Sequence, residues 1–176
     1  MSSLSFMFLI SLILSYPPTV NPFGTAQLII DPRMKNVEYK DYFFAERRDN
    51  FIKDNPHHIH TLFRRKFSLE NLPKHAELYI TADDYFRFYI NGEYALEGPT
   101  TGYPYAYPYY KFDLTPYLKE GSNIIAVHTY YRGLINRVCV SGDNRSGLLF
   151  RLILTDEQGK TIEMVSDNTS WKCYPL

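Results

Sequence analysis

The stretch from Glu77 to Pro99, ELYITADDYFRFYINGEYALEGP, decides the fold class of this chain of 176 residues. Apolar and polar residues alternate along it, first through Leu78 and Ile80 and then from Phe86 to Ile90. A period of two is typical of strands that bury one face. Asn91-Gly92 follows, and both residues tolerate the positive φ that a two-residue type I′ turn requires. The stretch therefore predicts one strand followed by a β-hairpin.

Further strands are predicted on both sides of this hairpin. Before it, Phe63, Arg65, Phe67 and Leu69 alternate with polar neighbours. After it, strands are predicted over residues 109–112, 123–131, 147–155 and 161–165, and a last one begins at Trp171. Residues 123–131 are apolar on both faces, which indicates a central strand. About eight short strands without a long helix predict an all-β sandwich or barrel.

Turn residues separate these strands at regular intervals. Asp113 or Thr115 can accept backbone N–H bonds, and Pro116 suits the first position of a short helical turn. Gly121 and Asn123 then lead into the central strand. These positions predict a capped turn rather than a reactive site.

The composition excludes several classes of function. Lys and Arg number 19, as do Asp and Glu, so the formal net charge of zero argues against binding to duplex nucleic acid. The hydrophobic fraction of 45 % argues against intrinsic disorder. The two cysteines, Cys139 and Cys173, are too few for a disulfide framework, and the sequence leaves open whether they pair.

Residues 1–26 are predicted to form an apolar N-terminal extension. The run LSFMFLISLIL, residues 4–14, is too short to span a membrane but suits the apolar region of a secretory signal, with a cleavage position at Gly24-Thr25-Ala26. No Lys or Arg precedes the run. The prediction is export to the cell surface or medium. A buried strand or an extension of the reading frame in a cytoplasmic protein is the alternative.

Residues 27–60 are predicted to be irregular, and residues 61–176 are predicted to form the β-domain. His57, His58 and His60 lie close together near the end of the irregular segment. His-rich tracts can bind metal, but a metal site needs three or four converging ligands and no suitable partner lies nearby in sequence. A His-rich loop is therefore predicted. No cofactor is predicted, and the residues leave open whether a structural calcium ion is bound.

A family resemblance emerges from the motifs in order. Asn91-Gly92 is followed by Gly98-Pro99, then by Asp113-x-Thr115, Gly121-x-Asn123, and finally Asp167 with Trp171-Lys172. Over residues 62–173 this order resembles the N-terminal β-sandwich domain of bacterial α-L-rhamnosidases. The resemblance implies an antiparallel sandwich of the jelly-roll, galactose-binding-like type. One departure is His128-Thr-Tyr-Tyr-Arg-Gly133, which stands where the family usually has an acidic residue followed by Gly-Trp-Tyr.

The resemblance implies a noncatalytic module that supports a glycoside hydrolase domain or its rhamnose-bearing glycan. The catalytic carboxylates of such enzymes lie in a helical barrel to which nothing in this sequence corresponds. Asp83, Asp84, Glu93, Glu97 and Asp113 stand at turn and hairpin positions, so a structural role is predicted for each. The alternatives are a free-standing lectin-like domain and the sugar-binding domain of a β-galactosidase-like enzyme. An autonomous small enzyme is the least favoured.

Sugar binding would require rings that pack on C–H faces and polar groups that bind hydroxyls. Two segments, a Tyr-Pro loop over residues 100–108 and the segment 130–137, offer both kinds of side chain. The predicted site residues are Tyr103, Tyr105, Tyr107, Tyr130, Tyr131, Arg132, Asn136 and Arg137. The competing interpretation is that these rings pack against a neighbouring domain.

Overall fold

A computed structural model describes residues 21–37, 56–100, 107–133 and 146–176. Within these ranges the chain forms two antiparallel sheets, in the orders β4-β3-β6-β1-β9 and β5-β2-β7-β8. The strands are β1 (Ile59–Leu69), β2 (His75–Asp83), β3 (Tyr85–Ile90), β4 (Glu93–Gly98), β5 (Tyr110–Asp113), β6 (Gly121–Tyr131), β7 (Gly147–Thr155), β8 (Thr161–Val165) and β9 (Lys172–Pro175). The predicted antiparallel β-sandwich is confirmed.

The core lies between the two sheets. Every second residue of β3 and of its neighbour β6 is buried toward the other sheet, and alternating residues of β2 in that sheet are buried as well. Phe88 of one sheet stacks on Phe150 of the other, with 6.3 Å between the ring centroids. Burial of each such side chain contributes roughly 1.5–3 kcal/mol. The alternation of apolar and polar residues along the strands therefore provides the apolar faces that the two sheets bury against each other.

The predicted central strand is β6, which lies in the middle of the five-stranded sheet. It pairs with β3 on one side and with β1 on the other. Ile125 and Val127 are fully buried between the sheets, while Ile124 and Ala126 are half-buried on the outer face. This distribution explains why the sequence of β6 is apolar on both faces.

β1 begins earlier than the sequence indicated. It starts at Ile59, and its register with β6 pairs Ile59 with Tyr131 and His60 with Tyr130. The prediction that His60 belongs to a loop is therefore wrong. Ile59 and Thr61 are buried, so the alternation already starts at Ile59, and the run of histidines obscured it.

Residues 21–37 lie against the sandwich. Ile29 and Leu148 exchange backbone hydrogen bonds of 3.0 and 2.9 Å, which adds a short bridge beside β7. The carboxylate of Asp31 is buried, and it accepts hydrogen bonds from the guanidinium of Arg33 at 2.8 Å and the hydroxyl of Thr61 at 2.6 Å. These contacts join the N-terminal segment to both sheets.

No helix in the described parts of the chain is long and apolar enough to cross a bilayer. Residues 1–20, which carry the predicted signal-like run, lie outside the described residues, as does Cys139. Export therefore stays a prediction, and whether Cys139 and Cys173 pair stays open.

Candidate functional site

Two adjacent carboxylates mark one end of the sandwich. Asp83 is the last residue of β2, opposite Gly147 of β7, and Asp84 directly precedes β3. Because β2 and β3 belong to different sheets, the chain crosses from one sheet to the other at Asp84. Both aspartates therefore lie where the two layers meet.

Hydrogen bonds draw two more parts of the chain to these aspartates. The hydroxyl of Tyr107 donates to Oδ2 of Asp83 at 3.2 Å. The backbone N–H of Arg132 donates to Oδ2 of Asp84 at 2.8 Å, and the N–H of Asp84 donates to the carbonyl of Tyr130 at 3.0 Å. The acidic pair thus holds the chain just after residues 101–106 and just before residues 134–145.

The segment before β1 completes this end of the sandwich. Gly133 has a φ of +86°, and a Cβ built there would lie 2.7 Å from the carbonyl oxygen of Pro56 and 2.7 Å from Cβ of His57. The N–H of His58 donates to the carbonyl of Arg132 at 3.3 Å. This close approach requires glycine at position 133, and it places two histidines beside the end of β6.

We refer to Asp83, Asp84, Tyr107, Arg132 and Gly133 as the acidic end site. It offers carboxylate oxygens that accept hydrogen bonds from hydroxyl groups, together with a phenol ring beside them. Asp83 is buried, Asp84, Tyr107 and Arg132 are half-buried, and the site lies at the edge of the sandwich. Across the described ranges no three His, Cys, Asp or Glu side chains lie close enough together to hold a metal ion.

The structure brings together some of the predicted sugar-binding residues. Tyr107 and Arg132 belong to the acidic end site, and the hydroxyl of Tyr130 lies 2.6 Å from Nδ1 of His58. Tyr131 is only 1 % exposed, and its ring packs with Met34 and Ile59. Tyr103, Tyr105, Asn136 and Arg137 lie outside the described residues.

Tyr131 is therefore not available as a ring on which a sugar could stack. It occupies an inward-facing position of β6, as Val127 and Thr129 do, whereas Tyr130 faces outward. The alternation of the strand separates these two tyrosines, although they are neighbours in the sequence and share the same chemistry.

The predicted motif residues are structural. Asn91 and Gly92 have φ values of +53° and +90°, which confirms the hairpin between β3 and β4. Oδ1 of Asp113 accepts hydrogen bonds from the N–H of Thr115 at 3.0 Å and from its hydroxyl at 2.6 Å. Asp113 therefore accepts a backbone N–H bond as predicted, ahead of the 3₁₀ segment Thr115–Tyr117, whose N-cap residue Leu114 forms no side-chain cap.

Trp171 closes the core near the start of β9. Its indole N–H donates to the carbonyl of Val165 at 3.1 Å, and its ring meets Phe150 edge-on at 5.0 Å between centroids. Asp167 stabilises the turn that precedes Trp171, because its Oδ1 accepts the N–H groups of Thr169 at 2.7 Å and Ser170 at 2.6 Å.

A second concave surface lies on the four-stranded sheet. This groove has a volume of about 330 Å³ and is lined by His75, Ala76, Glu77, Lys111, Phe112 and Asp113. Its charged groups bind one another, since the ammonium of Lys111 lies 2.6 Å from Oε2 of Glu77. The groove is lined by two strands, β2 and β5, whereas the acidic end site joins the end of β2, the crossing to β3, Tyr107 and the end of β6.

Comparison with protein families identifies the module. The model of the family described as the alpha-L-rhamnosidase N-terminal domain matches residues 71–175. The chain belongs to this family. Its rhamnosidase-like sandwich includes β1, at residues 59–69, which precedes the matched range. Comparison with curated proteins gives no match.

Solved structures show the same fold in longer proteins. The α-L-rhamnosidase of Aspergillus terreus is 28 % identical, with a TM-score of 0.56 over 68 % of this chain and 15 % of that chain. The enzyme of Streptomyces avermitilis, solved with L-rhamnose, is 21 % identical, with a TM-score of 0.53 over 68 % of this chain and 11 % of that one. This rhamnosidase N-terminal domain therefore corresponds to less than a sixth of either enzyme.

A lectin also shares the sandwich. The lectin of Pleurotus ostreatus, solved in complex with GalNAc, is 19 % identical, with a TM-score of 0.56 over 89 % of this chain and 36 % of that chain. At this identity the similarity establishes a common fold and nothing more.

Sequence reasoning alone misses two members of the candidate site in this rhamnosidase N-terminal domain. The sequence predicts Asp83 and Asp84 to be turn residues, yet their hydrogen bonds are with residues 24 and 48 positions later. The available signal is two consecutive carboxylates at the end of a buried strand. The pairing of β5 with β2 brings Tyr107 to Asp83, and the pairing of β6 with β3 brings Arg132 to Asp84.

Proposed function

We propose that this chain is a noncatalytic carbohydrate-binding module that holds a glycan for a glycoside hydrolase domain. The observation that carries the proposal is the convergence at the acidic end site. Asp83 and Asp84 bind Tyr107 and Arg132, the described residues that flank the two segments rich in predicted sugar-binding side chains.

The remaining predicted residues follow or precede described members of this site closely in the sequence. Tyr105 precedes Tyr107 by two residues, and Asn136 and Arg137 follow Gly133 by three and four residues. The proposal assigns to them a ring, an amide and a guanidinium that contact the sugar.

The ligand that we propose is a rhamnose-bearing glycan. Family membership supports this class of sugar, as does the common fold of the Streptomyces enzyme solved with L-rhamnose. The chemistry supports it as well, because carboxylates accept hydrogen bonds from sugar hydroxyls and aromatic rings cover C–H faces. Since glycoside hydrolysis needs an acid and a second carboxylate across the scissile bond, we place catalysis in another domain.

Titration of the whole chain with methyl α-L-rhamnoside by calorimetry or NMR tests this proposal. We expect binding with a dissociation constant in the roughly micromolar-to-millimolar range. Tyr105→Ala should weaken binding by about tenfold, the effect of one lost ring contact. Asp83→Asn should weaken it by a similar factor, because the buried Asp83 holds the hydroxyl of Tyr107 in place. Tyr109→Phe is the matched control, because Tyr109 is exposed, lies two residues beyond Tyr107 and packs edge-on against Phe23.

Two results would overturn the proposal. One is the absence of saturable binding to any rhamnoside. The other is binding that Asp83→Asn and Tyr105→Ala leave unchanged. Hydrolysis of an aryl rhamnoside by the purified chain would contradict the noncatalytic assignment.

A free-standing lectin-like domain is the second candidate function. The Pleurotus lectin, solved in complex with GalNAc, shares this fold over 89 % of the chain, so a module that binds its glycan alone is the alternative. Parallel titration with GalNAc and galactosides separates the two. A preference for these sugars over rhamnosides supports the lectin-like function.

A further inference from the structure

The outer face of the five-stranded sheet carries a pair of histidines from neighbouring strands. The register of β1 and β6 pairs Leu62 with His128 and His60 with Tyr130, so the two histidines are diagonal neighbours on one face. Long side chains in this arrangement reach each other. Nδ1 of His60 lies 3.0 Å from Nε2 of His128, and the rings are inclined at 28°.

We propose that His60 and His128 form a two-imidazole binding site for a divalent transition-metal ion, Cu²⁺, Ni²⁺ or Zn²⁺. Imidazole nitrogens are favoured ligands for these ions. With metal–nitrogen bonds of about 2.0–2.1 Å, two ligand nitrogens lie about 2.8 Å apart in adjacent square-planar positions and about 3.3 Å apart in a tetrahedron. The observed separation of 3.0 Å lies between these values.

Metal binding replaces the hydrogen bond of the free pair. Without an ion, one of the two facing nitrogens donates its N–H and the other accepts. When an ion binds, the ring that donated moves this proton to its far nitrogen, so both rings are neutral and each keeps one N–H. Both rings then turn so that their lone pairs point to one side of the line between the two nitrogens, where they coordinate the ion, and water fills the remaining coordination positions.

Neighbouring side chains hold the two rings in place. The ring of Tyr130 stacks on His60 with 4.6 Å between centroids, and the Tyr130 hydroxyl lies 2.6 Å from Nδ1 of His58. His60 and His128 are both half-buried, so each presents its ring on a supported but open face. The cost of ordering the side chains is therefore largely met before an ion arrives.

The charges around the pair permit a cation to bind. Arg87 lies opposite His128 across β3 and β6, but its guanidinium forms an ion pair with Glu97 at 3.1 Å.

Calorimetric titration of the full chain with CuCl₂, NiCl₂ and ZnCl₂ in a non-chelating buffer tests this site. We expect one ion per chain, with Cu²⁺ bound tightest, and a thermal midpoint that rises with ion concentration. MgCl₂ and CaCl₂ should produce neither effect, because these ions prefer oxygen ligands. This selectivity also distinguishes the site from the carboxylates at the acidic end.

Substitution of each histidine identifies the ligands. His60→Asn and His128→Asn should each weaken Cu²⁺ binding by roughly tenfold or more, and the double variant should abolish it. His75→Asn is the matched control, since His75 is an exposed residue at the start of β2, in the other sheet. Thermal unfolding without metal verifies that each variant is folded.

The proposal is overturned if the unmodified chain binds none of the three ions. It is overturned equally if the variants bind Cu²⁺ as tightly as the unmodified chain does. Rhamnoside titration of the same variants provides an independent readout, because the metal site and the proposed glycan site use different side chains.

Discussion

The side-chain amide of Asn91 donates a hydrogen bond to the side-chain oxygen of Asn123, with 2.9 Å between Nδ2 and Oδ1. Asn123 is fully buried, and its own Nδ2 donates to the carbonyl of Lys119 at 2.6 Å. Oδ1 of Asn91 accepts the N–H of Ile124 at 3.0 Å. The hairpin turn is thereby joined to the start of β6 through two amides whose donors and acceptors match.

Asn123→Ala should lower the free energy of unfolding by about 2–4 kcal/mol, because the Asn91 amide and the Lys119 N–H each lose a buried partner. Chemical denaturation at neutral pH measures the change. Asn71→Ala, at an exposed position before β2, is the control and should have little effect. A loss below about 0.5 kcal/mol for Asn123→Ala would show that the amide pair is dispensable.

Gly98→Ala should destabilise the sandwich because the new Cβ would lie 2.2 Å from Cε2 of Tyr110. Gly159→Ala is the control, since Gly159 also has a positive φ, of +82°, but a Cβ added there would meet nothing within 4 Å. The difference in thermal midpoint between the two variants isolates the steric contribution. Adding Tyr110→Ala to Gly98→Ala should recover part of the loss, and strict additivity would contradict the clash.

Ser166→Ala should loosen the contact between the N-terminal segment and the sandwich. The hydroxyl of Ser166 donates to the carbonyl of Gln27 at 2.7 Å and accepts the buried N–H of Phe150 at 3.1 Å. Amide hydrogen exchange should accelerate in peptides that contain Gln27 and Ile29, while β6 stays protected. Ser122→Ala, at an exposed position of β6, serves as control. Unchanged exchange near Gln27 would show that the backbone bonds suffice.

Asp167→Asn should lower the free energy of unfolding at neutral pH and make that free energy depend less on pH. Burial favours a higher pKa for Asp167, but hydrogen bonds from Ser170 and Thr169 outweigh it and hold the pKa well below the ordinary value of 3.8. A depressed pKa in the folded state adds stability that is present above the unfolded pKa and is lost as the pH falls through the folded pKa.

The measurement for Asp167→Asn is the free energy of unfolding between pH 7 and pH 2. We expect a deficit of about 1–2 kcal/mol at neutral pH that shrinks below about pH 4. Asp156→Asn is a comparison in a similar turn, where Oδ1 of Asp156 accepts the N–H groups of Gln158 and Lys160. A deficit for Asp167→Asn that is independent of pH would exclude the electrostatic explanation.

The local parts of the fold were predictable from the sequence because their causes are local. The hairpin at Asn91-Gly92 follows from two residues that accept positive φ, and the bounds of β7 and β8 were predicted at the residues observed. Asn123 was also identified as a motif residue. Its bond to Asn91 could not be predicted, because it depends on the pairing of β3 with β6, which brings together residues 32 positions apart.

The candidate site was less predictable for the same reason. Tyr107 and Arg132 were identified from the chemistry of their side chains, but their respective partners Asp83 and Asp84 were not identified as members of the site. Tyr130 and Tyr131 look equivalent in the sequence, yet the pleat of β6 exposes one to the outer face and buries the other. Which side of a strand a ring occupies depends on register, which short motifs do not encode.

The position of β1 between β6 and β9 has a practical consequence for expressing this domain. A polypeptide cut to the family boundaries, residues 71–175, would lack β1 and with it the hydrogen-bonding partner of both neighbours. β6 would then be an edge strand with unpaired backbone N–H and C=O groups and apolar side chains. Such edges pair with other chains and cause aggregation. Protein expressed for crystallisation or binding assays should therefore begin upstream of Gln27. This start retains both β1 and the N-terminal segment that packs against the sandwich.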